Sequence, residues 1–130
     1  MAGDSLTYAP DHRRRRIVVT IIGPARFEDL KAVVERQLAD GLWAYAVLYD
    51  ERAVTAPLSV GATRSLVEVV ADLTRAHGSR GPVAIVCRTA EHFGMARMYS
   101  MLAENAALES NVFHDLAAAE QWLDERPSHP

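Results

Sequence analysis

The sequence predicts an α/β fold: a mostly parallel five-stranded sheet, one antiparallel hairpin strand at the N-terminus, and four helices. Three observations predict it. Short apolar runs alternate with longer segments of helical periodicity, and that alternation implies right-handed crossovers between parallel strands. Three of the runs, 17–22, 44–49 and 83–86, are apolar on both parities, as strands buried on both faces are. The run Val83-Ala84-Ile85-Val86 passes through a short polar turn directly into a helix-compatible segment, so it reads as a central strand feeding a helix.

Each element has its own justification. Leu6-Thr7-Tyr8 is a candidate short strand, and Pro10-Asp11-His12 reads as a turn. Arg16-Ile17-Val18-Val19-Thr20-Ile21-Ile22 is rich in β-branched residues, which fit a pleated surface, and Gly23-Pro24 ends it. The two strands are close in sequence, so an antiparallel hairpin is the economical pairing. A first helix is expected over 26–39, where Phe27, Leu30, Val33, Val34 and Leu38 make one apolar face. Asp40-Gly41 closes it.

The next strand is expected over 43–49, ended by Asp50, with 51–58 as a loop. A second helix follows over 59–77, with Ser59 at its N-cap and Leu66, Val69, Val70 and Leu73 facing inward. Gly78-Ser79-Arg80-Gly81-Pro82 then punctuates the chain before the central strand. Thr89 can cap the third helix, which ends near Ala106. Asn111-Val112-Phe113-His114 is a short last strand. Asp115 can cap a final helix that turns Leu116, Ala119, Trp122 and Leu123 inward. Residues 6–125 are expected to form a single domain, and 1–5 and 126–130 flexible tails.

The totals exclude several classes of function. A net charge of -3 gives no global attraction to nucleic acid or anionic membranes. Arg13-Arg14-Arg15-Arg16 lacks interleaved aromatics and a second basic cluster, so it reads as a solvated strand entrance that discourages edge aggregation. One cysteine cannot make an intrachain disulfide. No apolar run of signal-peptide or membrane-spanning length is visible, so a cytoplasmic location is expected.

Three stretches resemble the STAS domain, the fold of the sporulation anti-anti-sigma factors, and in particular the small stand-alone SpoIIAA-like bacterial proteins. Residues 17–30, with Gly23-Pro24 and Phe27-Glu28-Asp29-Leu30, look like the strand–Gly–helix start of that family. His92-Phe93-Gly94-Met95-Ala96-Arg97-Met98-Tyr99 looks like its third helix. Val112-Phe113-His114-Asp115 with Ala119-Glu120-Gln121-Trp122-Leu123 looks like its closing strand and helix. The resemblance implies a STAS/SpoIIAA-like sheet and a regulatory domain that acts by binding. It also implies a phosphoacceptor, because Ser59 and Gly61 fall on the serine and glycine of the family's Asp-Ser-x-Gly pattern. Leu58 stands where that pattern has its acid, and Ser59 as a plain helix cap is the simpler reading.

No motif identifies a reaction, and no cofactor is expected. Ligands of open sheets bind outside the carboxyl ends of the strands, which here carry Gly23, Asp50, Cys87-Arg88 and His114-Asp115. Cys87 ends a strand just before a helix N-terminus, and with His92 or His114 it is conceivable as a nucleophile. A buried, inert cysteine is the simpler reading. The histidines show no metal-ligand spacing, and no metal is expected. Phe93, Met95, Met98, Tyr99 and Met101 give the third helix more large apolar groups than one face needs, so an apolar ligand or a subunit interface is expected there. Arg97 among them, with Asp50 and His114, is a candidate anion site. The sequence thus supports a non-enzymatic binding or regulatory domain, and a homodimer. The alternatives are a lipid or small apolar-anion carrier using the third helix, and a thiol enzyme using Cys87.

Overall fold

In the computed structural model, which describes residues 6–126, the strands lie across one sheet in the order of the sequence. The elements are β1 (Leu6–Asp11), β2 (Arg16–Pro24), α1 (Phe27–Ala39), β3 (Ala46–Ala56), α2 (Val60–His77), β4 (Val83–Val86), α3 (Ala90–Asn105), β5 (Ser110–Phe113) and α4 (Leu116–Asp124). β1 and β2 are antiparallel, and every other pairing is parallel. This is the expected α/β architecture, with five strands and four helices. β1 and β5 are the edges, so the three doubly apolar runs occupy the middle. The expected tails at 1–5 and 127–130 lie outside the described residues, whereas Arg126 donates to Glu109 at 2.9 Å.

Strand alternation divides the core in two. Ile17, Val19 and Ile21 of β2, Val47 and Tyr49 of β3, and Val83 and Ile85 of β4 face α1, α2 and α3. Leu48, Ala84 and Val86 face the other way and pack under Ala119 and Leu123 of α4. Three consecutive parallel crossovers between neighbouring strands put their helices on the same face, which leaves α4 alone on the opposite one. Each fully buried Val or Ile of these strands contributes about 1.5–3 kcal/mol.

The arginine run divides in the same way. Arg13, Arg14 and Arg15 are exposed in the hairpin turn, but Arg16 is buried on the α4 side and pairs with Asp124 at 2.7 Å. The solvated entrance therefore stops at Arg15, because Arg16 is already in β2 and the α4 face takes its side chain.

Several boundaries differ from expectation. Pro10 and Asp11, expected in a turn, belong to β1 because pairing with β2 continues to Arg16; β2 runs on through Gly23-Pro24; and β5 starts at Ser110 and stops before His114. Residues 43–45 are turn rather than strand, and β3 runs on through Glu51 to Ala56 where a loop was expected. The extension keeps pairing with β2 through a register shift: Thr20 pairs with Asp50, but Ile22 pairs with Ala53. One extra residue on β3 makes a β-bulge there. The turn at 43–45 is held by Gln37, which donates to the carbonyls of Leu42, Trp43 and Tyr45 and accepts from Arg80 Nε at 2.8 Å. The helix starts agree with expectation: Ser59 accepts from the N–H of Ala62, Thr89 from His92, and Asp115 from Ala117.

Candidate functional site

β3 and β4 run side by side, with Asp50 opposite Val86. The next residues along, Glu51 and Cys87, are therefore lateral neighbours at the carboxyl ends of the strands. Glu51 shares parity with Val47 and Tyr49, and Cys87 with Val83 and Ile85, so both point toward the three-helix face. The chain leaves β4 through Arg88 and starts α3 at once, and His92 in the first turn comes down over them. Its Nε2 lies 2.9 Å from Glu51 Oε1, and both side chains are buried. The Cys87 sulfur, an imidazole nitrogen and a carboxylate oxygen all lie within 4.8 Å of one another.

Above this trio opens a cleft with about 50 Å³ of internal space. Leu30 and Val34 of α1, Leu66 of α2, and Met95, Ala96 and Tyr99 of α3 form its walls. Tyr49 and Ile85 form its floor, and Glu51 and His92 are its buried acid and imidazole. Burial pushes the Cys87 thiol up to about 12, and the charge of Glu51 adds to the effect. The thiol therefore rests protonated, which is the reverse of what a cysteine nucleophile needs.

A second cleft, with about 170 Å³ of internal space, lies near the amino end of β4 and has Arg80, Thr74, Ser110 and Tyr99 in its lining. Arg80 is only 6% exposed. Among the described residues its hydrogen-bond partners are uncharged: Nε donates to Gln37 and Nη2 to Tyr49 Oη at 3.2 Å. It also lies over the Trp43 ring. Burial pushes the Tyr99 phenol up to about 12, with the charge of Arg80 acting against it. Tyr99 thus separates the two clefts and lines both.

The candidates named from the sequence are dispersed. Met95 and Tyr99 reach the first cleft, while Phe93 stacks on His114 with ring centroids 4.0 Å apart. Met98 is half-buried and Met101 is exposed. Asp50, Arg97 and His114 do not come together. Asp50 lies on the α4 side of the sheet and accepts from Arg52 Nη2 at 2.8 Å. Those hydrogen bonds from Arg52 hold its carboxyl below the usual range. Arg97 and His114 are exposed. Ser59 is exposed at the start of α2 and acts as its N-cap. Of the chemistry weighed for Cys87, the structure keeps the proximity to His92.

Glu51, Arg80 and Gln37 were not singled out by the sequence reading. Parity would have found Glu51 had β3 been carried one residue further. Arg80 sits in a Gly-Ser-Arg-Gly loop whose composition signals exposure, and nothing local marks it as buried.

No family model matches the chain, and no curated protein matches it significantly. Among solved structures, it is similar to an uncharacterized protein of the DUF3478 family with a SpoIIAA-like fold from Shewanella loihica PV-4. The two share 18% identity over 91% of each chain, with a TM-score of 0.57. The chain therefore has a SpoIIAA-like fold. Among the described residues, no helix is long and apolar enough to cross a membrane.

Proposed function

We propose that this SpoIIAA-like chain works as a non-enzymatic binding domain, and that the cleft between α1, α2 and α3 takes a small, largely apolar ligand with one polar head. The observation that carries the reading is the composition of the cleft. Its lining is mostly apolar, and the paired Glu51 and His92 are among its few polar groups. Glu51 and His92 offer a donor and an acceptor in a place shielded from water, where a hydrogen bond discriminates strongly. Arg97 is not the anchor in this reading, because the cleft is polar at His92 instead.

Native mass spectrometry of the untreated protein, followed by titration with an environment-sensitive apolar dye, tests the reading. One dye per chain is expected, and Met95→Trp should block it at the mouth while the circular dichroism stays unchanged. Dye binding that survives Met95→Trp would place the apolar surface elsewhere.

A second reading concerns partners. Ile22 is 56% exposed on the α4 side of the sheet, where α4 reaches over β3, β4 and β5 but leaves the end of β2 open. Thr20 and Ala53 lie beside it. A second copy of the chain packed on this open face would give the expected homodimer.

A further inference from the structure

We infer that Cys87, His92 and Glu51 form a binding site for a divalent zinc-class ion, with the fourth coordination position opening into the cleft. The geometry is close to what such an ion needs. Donors on a tetrahedral zinc are about 3.5 Å apart, as its bond lengths require. Here all three lie within 4.8 Å of one another, and His92 Nε2 and Glu51 Oε1, now hydrogen-bonded at 2.9 Å, would part by about half an ångström. The site therefore asks for small side-chain rotations, not for movement of the backbone. The backbone is fixed beneath the donors, since Cys87 N–H donates to Phe113 O at 2.9 Å and His92 N–H to Thr89 Oγ1 at 3.1 Å.

Charge favours the same ion. Cys87, His92 and Glu51 are 0%, 6% and 9% exposed, and a net charge at such a place is costly. A thiolate, a carboxylate and a neutral imidazole around a divalent cation sum to zero. On binding, the Cys87 S–H bond breaks and a sulfur–metal bond forms. A neutral imidazole keeps its one proton, which moves to Nδ1 when Nε2 takes the metal. The thiol proton goes to solvent, and nothing is oxidised or reduced. The donor types select the metal: thiolate and imidazole suit zinc and its cobalt substitute and disfavour magnesium and calcium.

Three protein ligands and one open position distinguish zinc sites that bind exogenous groups from purely structural ones. Glu51 and His92 are the two ligands that line the cleft, so the open position faces it. A ligand head with an oxygen or nitrogen lone pair would occupy that position. This last step rests on the cleft being a ligand site, whereas the metal site itself does not.

The test uses the full chain, stripped with chelator and then dialysed against cobalt(II) or zinc(II). One ion per chain by elemental analysis is expected, with a thiolate-to-cobalt charge-transfer band. Zinc uptake at a pH above the ordinary imidazole range should release about one proton per ion, because the thiol must give its proton up. Cys87→Ser should lose the band, and His92→Gln should weaken binding more than tenfold, since even loss of an outer-shell partner typically costs about 10–100-fold. Absence of the band in the unmodified protein, or uptake without proton release, would overturn the site. Stoichiometric uptake preserved in folded Cys87→Ser would equally assign the ion to surface groups. The unmodified protein carries the decisive readings, so a variant that fails to fold leaves the test intact. Dye binding to the metal-free chain is measured separately, so failure of the metal site and failure of the cleft reading are distinguishable.

Discussion

His92 Nε2 and Glu51 Oε1 meet at 2.9 Å across 41 positions of sequence, under the wall of α3. Removing one partner from such a pair leaves the other buried and unmatched, which costs about 3–5 kcal/mol. His92→Ala and Glu51→Ala should each destabilise by an amount of this order in denaturant unfolding. The double variant Glu51→Leu/His92→Phe should cost clearly less than the two single losses combined, because it removes both polar groups together. Additive losses would show that the two side chains do not act as a pair.

The Cys87 thiol is raised to about 12 by burial and by Glu51. Its thiolate fraction at pH 8 is then about a thousandfold below that of a free cysteine, whose pKa is about 8.5. Iodoacetamide should label it correspondingly slowly in the native chain and readily in denaturant. The folded pKa is above the unfolded one, so the folded chain holds this proton more tightly. Stability from this group is therefore complete below about pH 8.5 and is lost as pH rises toward 12. Unfolding midpoints should fall over that window, and by less in Cys87→Ala.

The element order was readable in the sequence because it depends on local signals. β-branched runs, helical spacing and the caps Ser59, Thr89 and Asp115 all act within a few residues of themselves. The site was less readable, because it depends on where one strand stops. Asp50 and Glu51 are adjacent acids, and ending β3 at Asp50 put the wrong one at the carboxyl end. Strand alternation sends Asp50 to the α4 face and Glu51 to the cleft. The apolar surplus on α3 was correctly seen but not its destinations. Phe93 goes to His114, Met95 and Tyr99 go to the cleft, and Met101 goes to solvent. Such destinations follow from tertiary neighbours, to which local periodicity is blind.

Gly81 tests the loop that buries Arg80. A Cβ built on it would overlap the carbonyl of Tyr45, which is backbone and cannot rotate away. The Gly81 N–H also donates to Trp43 O at 3.0 Å, so the two segments are locked together. Gly81→Ala should therefore destabilise by about 2–4 kcal/mol, in the range of severe core strain. Gly61→Ala is the control, since nothing lies within 4 Å of its Cβ position. Equal midpoints for the two variants would refute the close approach.

Ser59 Oγ accepts the Ala62 N–H at 3.1 Å. Ser59→Ala should cost about 1 kcal/mol, the usual worth of an N-cap. Ser59→Asp should be near neutral, because aspartate caps equally well and its charge suits a helix N-terminus. Thermal unfolding of both variants decides the assignment. A loss of partner binding in Ser59→Asp, with stability intact, would support a phosphoacceptor role instead.

The expected homodimer has two candidate surfaces, and they make opposite predictions. Met101 is 63% exposed, but its outward neighbours on α3 are Arg97 and Glu104, which are solvated. Ile22 is 56% exposed beside the small Thr20 and Ala53, and Asp50, which pairs with Arg52, and Arg88 line the same surface. The row beyond Thr20 on β1, Thr7 and Ala9, is small as well, so a second sheet face can approach closely. A two-fold pair uses the same patch on both copies, which makes one exposed isoleucine count twice. We therefore expect sedimentation to report a dimer for the unmodified chain and a monomer for Ile22→Lys. Met101→Glu should leave the assembly unchanged. Both substitutions are at the surface and should shift stability by no more than about 0.5 kcal/mol. A dimer broken by Met101→Glu and spared by Ile22→Lys would move the interface to α3. A monomer at high concentration would end the homodimer reading.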